Sequence, residues 1–108
     1  MELLPEYFPD LTGFHWDAGN SAKNWLALNV SQAETEQVFF NRPVLVLPDL
    51  HHSQEETRHY LLGRTTSGRR LTIVFAVRST LVRPIMARDM SRRERRLFAE
   101  EENAQEES

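Results

Sequence analysis

Cysteine is absent from this 108-residue chain. Disulfides and thiolate metal sites are therefore excluded, and a reducing cytoplasm is the expected setting. Lysine is almost missing: Lys23 stands alone against twelve arginines. No apolar run approaches the roughly 20 residues that a membrane-spanning helix needs, so no membrane role is expected. Met1–Asp10 lacks the basic start of a signal peptide, and with Pro5 and Pro9 it reads as a loosely attached arm, residues 1–13. Length and an ordinary balance of 27% charged and 40% apolar residues fit one domain, residues 14–99, followed by an acidic tail, residues 100–108.

What is present is charge, sorted along the chain. The net charge is only −3, yet residues 1–57 carry −7, Arg58–Arg96 carries +9 and the last twelve residues carry −5. A basic block of this kind is the footprint of a polyanion partner, which the overall charge conceals. Guanidinium groups grip phosphate bidentately and stack on bases better than ammonium groups do. A GC-rich genome would also explain the preference for arginine, but not its segregation.

Local signals give an α+β chain. A short strand can start at Phe14, and Asp17 or Asn20 can cap a helix running to about Leu28, with Ala22, Trp25 and Leu26 as its apolar stripe and Asn29 as its left-handed stop. Ser31 and Glu34 form a capping box that opens a second helix to about Phe40. Strands are expected at Val44–Leu47, Arg58–Arg64, Arg70–Arg78 and Leu81–Arg88, with turns at Thr66-Ser67-Gly68 and Ser79-Thr80. Prolines 43, 48 and 84 mark the first and last runs as edges of a four-stranded antiparallel meander. Ser91 and Glu94 open a C-terminal helix that should fray from Glu100. Both N-terminal helices should pack on one sheet face.

Simple hairpins place Arg78 opposite Leu81, Leu71 opposite Arg88, and Leu62 opposite Leu71. One face then holds Tyr60, Leu62, Leu71, Ile73, Phe75, Val77, Val82 and Met86, and should be covered. The other face is mixed and includes His59 and Arg83. Arg64, Arg69, Arg70 and Arg88 gather at one end, where the last helix begins. Four guanidiniums and free helix N–H groups make that end an expected anion site.

Phe14-His15-Trp16-Asp17, Gly19-Asn20, Lys23-Asn24, Glu34 to Asn41, His52-Ser53 with Glu56 and Arg58, Gly63-Arg64-Thr65 with Gly68-Arg69, and above all Val82 to Arg96 resemble, in order and spacing, the BrnT toxins of bacterial type II toxin–antitoxin systems. The resemblance covers about residues 14–100. It implies a RelE-like fold, a ribonuclease that arrests growth, and a DNA-binding antitoxin partner of the BrnA-like, ribbon-helix-helix kind. The family commonly has Lys-His where Ala27-Leu28 stand, Ser or Thr at Met86 and Tyr at Phe98. Each difference removes a polar group, which opens a second reading: a binding module that holds antitoxin or RNA without cutting.

Metal-independent RNA cleavage needs a base for the 2′-hydroxyl, an acid for the leaving oxygen and cations for the phosphorane. The candidates are His52 or Glu56 as base, His59 as a further acid–base group, and Arg83 and Arg88 as cations. Arg58, Arg64, Arg69, Arg70, Arg92 and Arg93 are the candidate RNA contacts. No cofactor is expected. His51, His52, Glu55, Glu56 and His59 fit no metal-ligand spacing, so no metal site is expected. Trp16 and Trp25 read as core anchors rather than as stacking platforms, and the glutamate tail as a solvated helix end rather than as a phosphate mimic.

Overall fold

The computed structural model describes residues 11–20, 29–48 and 58–107. Within them run strand β1 (Gly13–Phe14), helix α1 (Gln32–Phe40), strands β2 (Leu45–Pro48), β3 (Arg58–Arg64), β4 (Arg70–Arg78) and β5 (Leu81–Asp89), and helix α2 (Arg92–Glu107). Residues 21–28, most of the first expected helix, lie outside the described residues. Asn29 does take the left-handed conformation expected of it, at φ 54°.

Both capping boxes form as read. Ser31 Oγ accepts from the Glu34 N–H at 3.0 Å while Glu34 accepts from the Ser31 N–H at 3.1 Å. Ser91 and Glu94 repeat the exchange at 3.2 and 2.8 Å. Each box satisfies helix N–H groups that would otherwise lack partners.

The sheet order is β1-β5-β4-β3-β2, and β1 lies parallel to β5. The expected four-stranded antiparallel meander is therefore a five-stranded mixed sheet. β2 is an edge as expected, but β5 is internal, because β1 joins its outer side at Leu81 and Val82. β1 stops at Phe14, before it would need an N–H from Pro84.

Two registers differ from the simple hairpins. The β3–β4 connection closes on Arg64 opposite Arg70, so Leu62 faces Thr72 rather than Leu71. Arg78 does face Leu81, but a bulge beside Pro84 inserts one residue, and Leu71 meets Asp89 rather than Arg88. A one-residue slip turns a strand's side chains to the other face. Tyr60, Leu62 and Met86 thus leave the face of Leu71, Ile73 and Phe75 and join Thr72, Val74 and Arg83 opposite.

The main core lies between α1 and the first of these faces. Val38 and Phe39 meet Leu61, Leu71, Ile73, Phe75, Val82 and Ala87, all buried. Phe39 packs edge-on against Phe14 and Phe75 at 5.3 and 5.2 Å. Gly63 makes the close approach possible: a Cβ there would stand 2.5 Å from Val38 Cγ1. On the opposite face α2 forms a smaller cluster, in which Phe98 packs with Leu62, Met90 and Leu45.

Helix α2 continues to Glu107 rather than fraying at Glu100. Its charge order opposes its macrodipole: Arg92, Arg93, Arg95 and Arg96 crowd the positive end, and Glu100–Glu102 with Glu106 and Glu107 fill the negative end. Tertiary contacts therefore hold it. They come from one stripe at four-residue spacing, Glu94, Phe98 and Glu102, all facing the sheet.

Candidate functional site

The expected gathering of arginines is real. Arg64 pairs with Arg70, and Arg88 pairs with Thr72 two positions along β4, on the sheet face beneath α2. The expected open anion site is not there, because the chain's own carboxylates occupy it. Glu102 bridges Arg64 Nη1 at 2.6 Å and Arg70 Nη2 at 2.9 Å, and its side chain is only 10% exposed. Glu94 takes both Nη1 and Nη2 of Arg88, at 2.7 and 2.9 Å, and accepts from the Thr72 hydroxyl at 2.9 Å. Burial raises the Glu94 carboxyl, but hydrogen bonds from Arg88, the Ser91 N–H and Thr72 outweigh it and hold the group at about 2.

Arg69, around the corner, is shared by Asp89, at 2.9 Å, and Glu34, at 3.2 Å, and also donates to the Asn29 carbonyl at 2.8 Å. Hydrogen bonding to Asp89, ahead of that to Glu34, raises the Arg69 guanidinium above its usual range; the Arg69 bond lowers Asp89 in return. The four arginines of this end, 64, 69, 70 and 88, thus meet four carboxylates, Glu34, Asp89, Glu94 and Glu102, and the local charge cancels. At the helix N-terminus the capping box of Ser91 and Glu94 takes up the N–H groups of both residues.

Arg83 stands farther along the same face. Its Nη1 lies 2.7 Å from Asp17 Oδ2, and that bond is the main cause of a lowered Asp17 carboxyl. Asp17 is set by a turn that Asn20 pins: the Asn20 amide, 2% exposed, donates to the carbonyls of His15 and Pro84 and accepts from the Asp17 N–H at 2.7 Å. Asp17 and Asn20, the expected helix caps, thus both bind β5, and the helix they were expected to open lies outside the described residues. Trp16 donates to Glu36 at 2.7 Å, tying it to α1 as an anchor.

The candidate catalytic residues separate. His52 and Glu56 lie outside the described residues. His59 pairs with Phe75 on the α1 side, its ring 5.4 Å from that phenyl, and so lies across the sheet from Arg83 and Arg88. Arg83 and Arg88 share a face but pair with Ala76 and Thr72, roughly 13 Å apart along β4. Arg58 lies opposite Ala76, so Arg58 and Arg83 share one row, and Tyr60 lies between that row and Arg88. Sequence reasoning placed Tyr60 on the other face and missed Glu102 altogether. The signal for Glu102 was its spacing of four from Phe98.

Four arginines of α2 lie on the surface. Arg92, Arg93, Arg95 and Arg96 are exposed and make no ion pair among the described residues. An open polar cavity of about 390 Å³ lies beside Arg64, lined by Asn41, Arg42 and the loop from Thr65 to Gly68. Among the described residues no group of histidine and carboxylate side chains is placed to hold a metal ion, and no helix is long and apolar enough to cross a membrane.

No curated protein matches the chain. The family model described as the ribonuclease toxin, BrnT, of type II toxin–antitoxin systems matches residues 16–94, from Trp16 through the Glu94 that closes on Arg88. That span takes in β2 to β5, α1 and the start of α2, so the chain belongs to the BrnT family of ribonuclease toxins.

Proposed function

We propose that this chain is an endoribonuclease toxin whose cleavage needs no metal and runs through the substrate's own 2′-hydroxyl. The observation that carries this reading is the shared sheet face of Arg58, Tyr60, Arg83 and Arg88, flanked by the exposed arginines of α2. Cations fixed on a strand stabilise a phosphorane without reorganising, which is the larger part of such catalysis. Asp17 and Glu94 hold Arg83 and Arg88 in place. Arg92, Arg93, Arg95 and Arg96 draw in the RNA backbone. His52 or Glu56, in the connection that enters β3 at Arg58, takes the 2′-hydroxyl proton. The 2′-oxygen attacks phosphorus, a 2′,3′-cyclic phosphate forms, and the 5′-oxygen leaves with a proton from a second acid. The partner is an antitoxin of the BrnA-like, ribbon-helix-helix kind.

Expression of the chain alone in bacteria should arrest growth, and Arg83→Ala or Arg88→Ala should relieve the arrest. With the purified protein, these changes should slow cleavage by about 10²–10³-fold. The products should carry cyclic phosphate and 5′-hydroxyl ends, formed equally well with a chelator present. Products with 5′-phosphate ends, or cleavage abolished by the chelator, refute the chemistry.

The second reading, a module that binds without cutting, is supported by a different observation: each of Arg64, Arg69, Arg70, Arg83 and Arg88 already has a carboxylate of this chain as partner. Absence of growth arrest together with tight antitoxin binding supports that reading.

A further inference from the structure

We infer that Arg64 and Arg70 form a seat for an RNA phosphate, and that Glu102 fills this seat in the free protein, so that the end of α2 is a self-occluding latch. The inference rests on the RNA-binding part of the reading above. Paired positions on adjacent strands project two guanidiniums to one side of the sheet, where they repel each other unless an anion lies between them. Glu102 supplies that anion with both oxygens: Oε2 meets Arg64 Nη1 at 2.6 Å, and Arg70 Nη2 reaches Oε1 at 2.9 Å and Oε2 at 3.2 Å. Two oxygens received by two forked cations is the geometry with which arginine takes a phosphodiester.

The seat does not depend on the latch. Arg64 Nη2 is held by the Arg42 carbonyl at 3.2 Å, and the strands that carry both arginines belong to the sheet. The latch, by contrast, has a weak hold. Beyond Phe98, Glu102 is the one buried residue of α2 among those described. Release therefore exposes no apolar core and breaks one carboxylate's bonds. The vacated seat adjoins the open cavity that Arg64 lines, whose volume of about 390 Å³ lies within the range of small-ligand pockets and leaves room for a nucleoside attached to the seated phosphate.

The test uses the full chain and a single-stranded RNA oligonucleotide, with binding read by fluorescence anisotropy across salt. Glu102→Gln should bind RNA about tenfold more tightly than the unaltered chain. The slope of log affinity on log salt should flatten by about 0.7 when both seat arginines are removed, one phosphate fewer neutralised on a single strand. Adding Arg64→Ala and Arg70→Ala to Glu102→Gln should abolish the gain. Equal affinity for Glu102→Gln and the unaltered chain overturns the latch, as does a gain that survives loss of both arginines or a failure of every form to bind. Hydrogen exchange on the unaltered chain gives a measure that needs no variant to fold: residues 100–107 should lose protection when RNA binds, and unchanged or increased protection overturns the inference.

The two readings can fail separately. A gain in Glu102→Gln with cleavage indifferent to Arg83→Ala keeps the seat and removes the catalytic assignment. No gain, with cleavage lost in Arg83→Ala, does the reverse.

Discussion

Replacing Glu94 by glutamine tests whether the half-buried ion pair beneath α2 is stabilising at all. The carboxylate accepts from Arg88 twice, from Thr72 and from the Ser91 N–H, and its side chain is 20% exposed. Glutamine keeps the shape but loses the charge, leaving Arg88 with a neutral acceptor. A carboxyl held at about 2 against an ordinary 4.5 contributes about 2–3 kcal/mol at neutral pH, allowing for desolvation shared with Arg88. Because the folded value is the lower one, this contribution is complete above pH 4.5 and disappears as pH falls through about 2. Urea unfolding of both forms from pH 7 to pH 2 reads it directly. The gap should be about 2–3 kcal/mol at pH 7, a loss of order 10–20 °C in Tm, and should close toward zero near pH 2. A gap that stays constant below pH 4.5 would mean that charge is not what holds Glu94, and the reasoning would be refuted.

Gly63→Ala should cost about 1–3 kcal/mol, because its Cβ would meet Val38 Cγ1 at 2.5 Å. Pairing it with Val38→Ala should cost less than the two changes summed; simple additivity in a double-mutant thermal series would show that the contact is not the cause. Asn20→Ala strips amide bonds from the carbonyls of His15 and Pro84 in a buried place, for a loss of about 2–4 kcal/mol in urea unfolding. It should also slow RNA cleavage, because the turn that presents Asp17 to Arg83 loosens; an unchanged rate would detach that turn from function.

The starts of both described helices and the bounds of strands β2 to β5 were legible to within a residue, because their signals are local. Ser31 with Glu34, Ser91 with Glu94 and the left-handed Asn29 act within a few residues. Register was not, because it turns on single residues at the connections. One more residue in the β3–β4 turn and one bulged residue beside Pro84 moved Tyr60, Leu62 and Met86 across the sheet. The basic block was plain from composition, but its partners are remote: Asp17 lies 66 residues from Arg83, Glu102 38 from Arg64, and Glu34 35 from Arg69. Charge counting shows how many arginines there are; only the packed chain shows which of them are already matched. Phe98 illustrates the same limit. At the sequence level it is a lost phenol, whereas in the fold it is the apolar anchor of α2.

The inverted charge order of α2 has a kinetic corollary. Lifted from the sheet, the segment after Phe98 would have neither intrinsic dipole support nor an apolar stripe, and so no reason to stay wound. Detachment and unravelling would then be a single event, yielding a loose acidic strand rather than a swinging rod. Such a strand re-forms its helix only by finding the paired guanidiniums again, so the rate of return would be set by chain search and ionic strength instead of by rigid-body hinge motion.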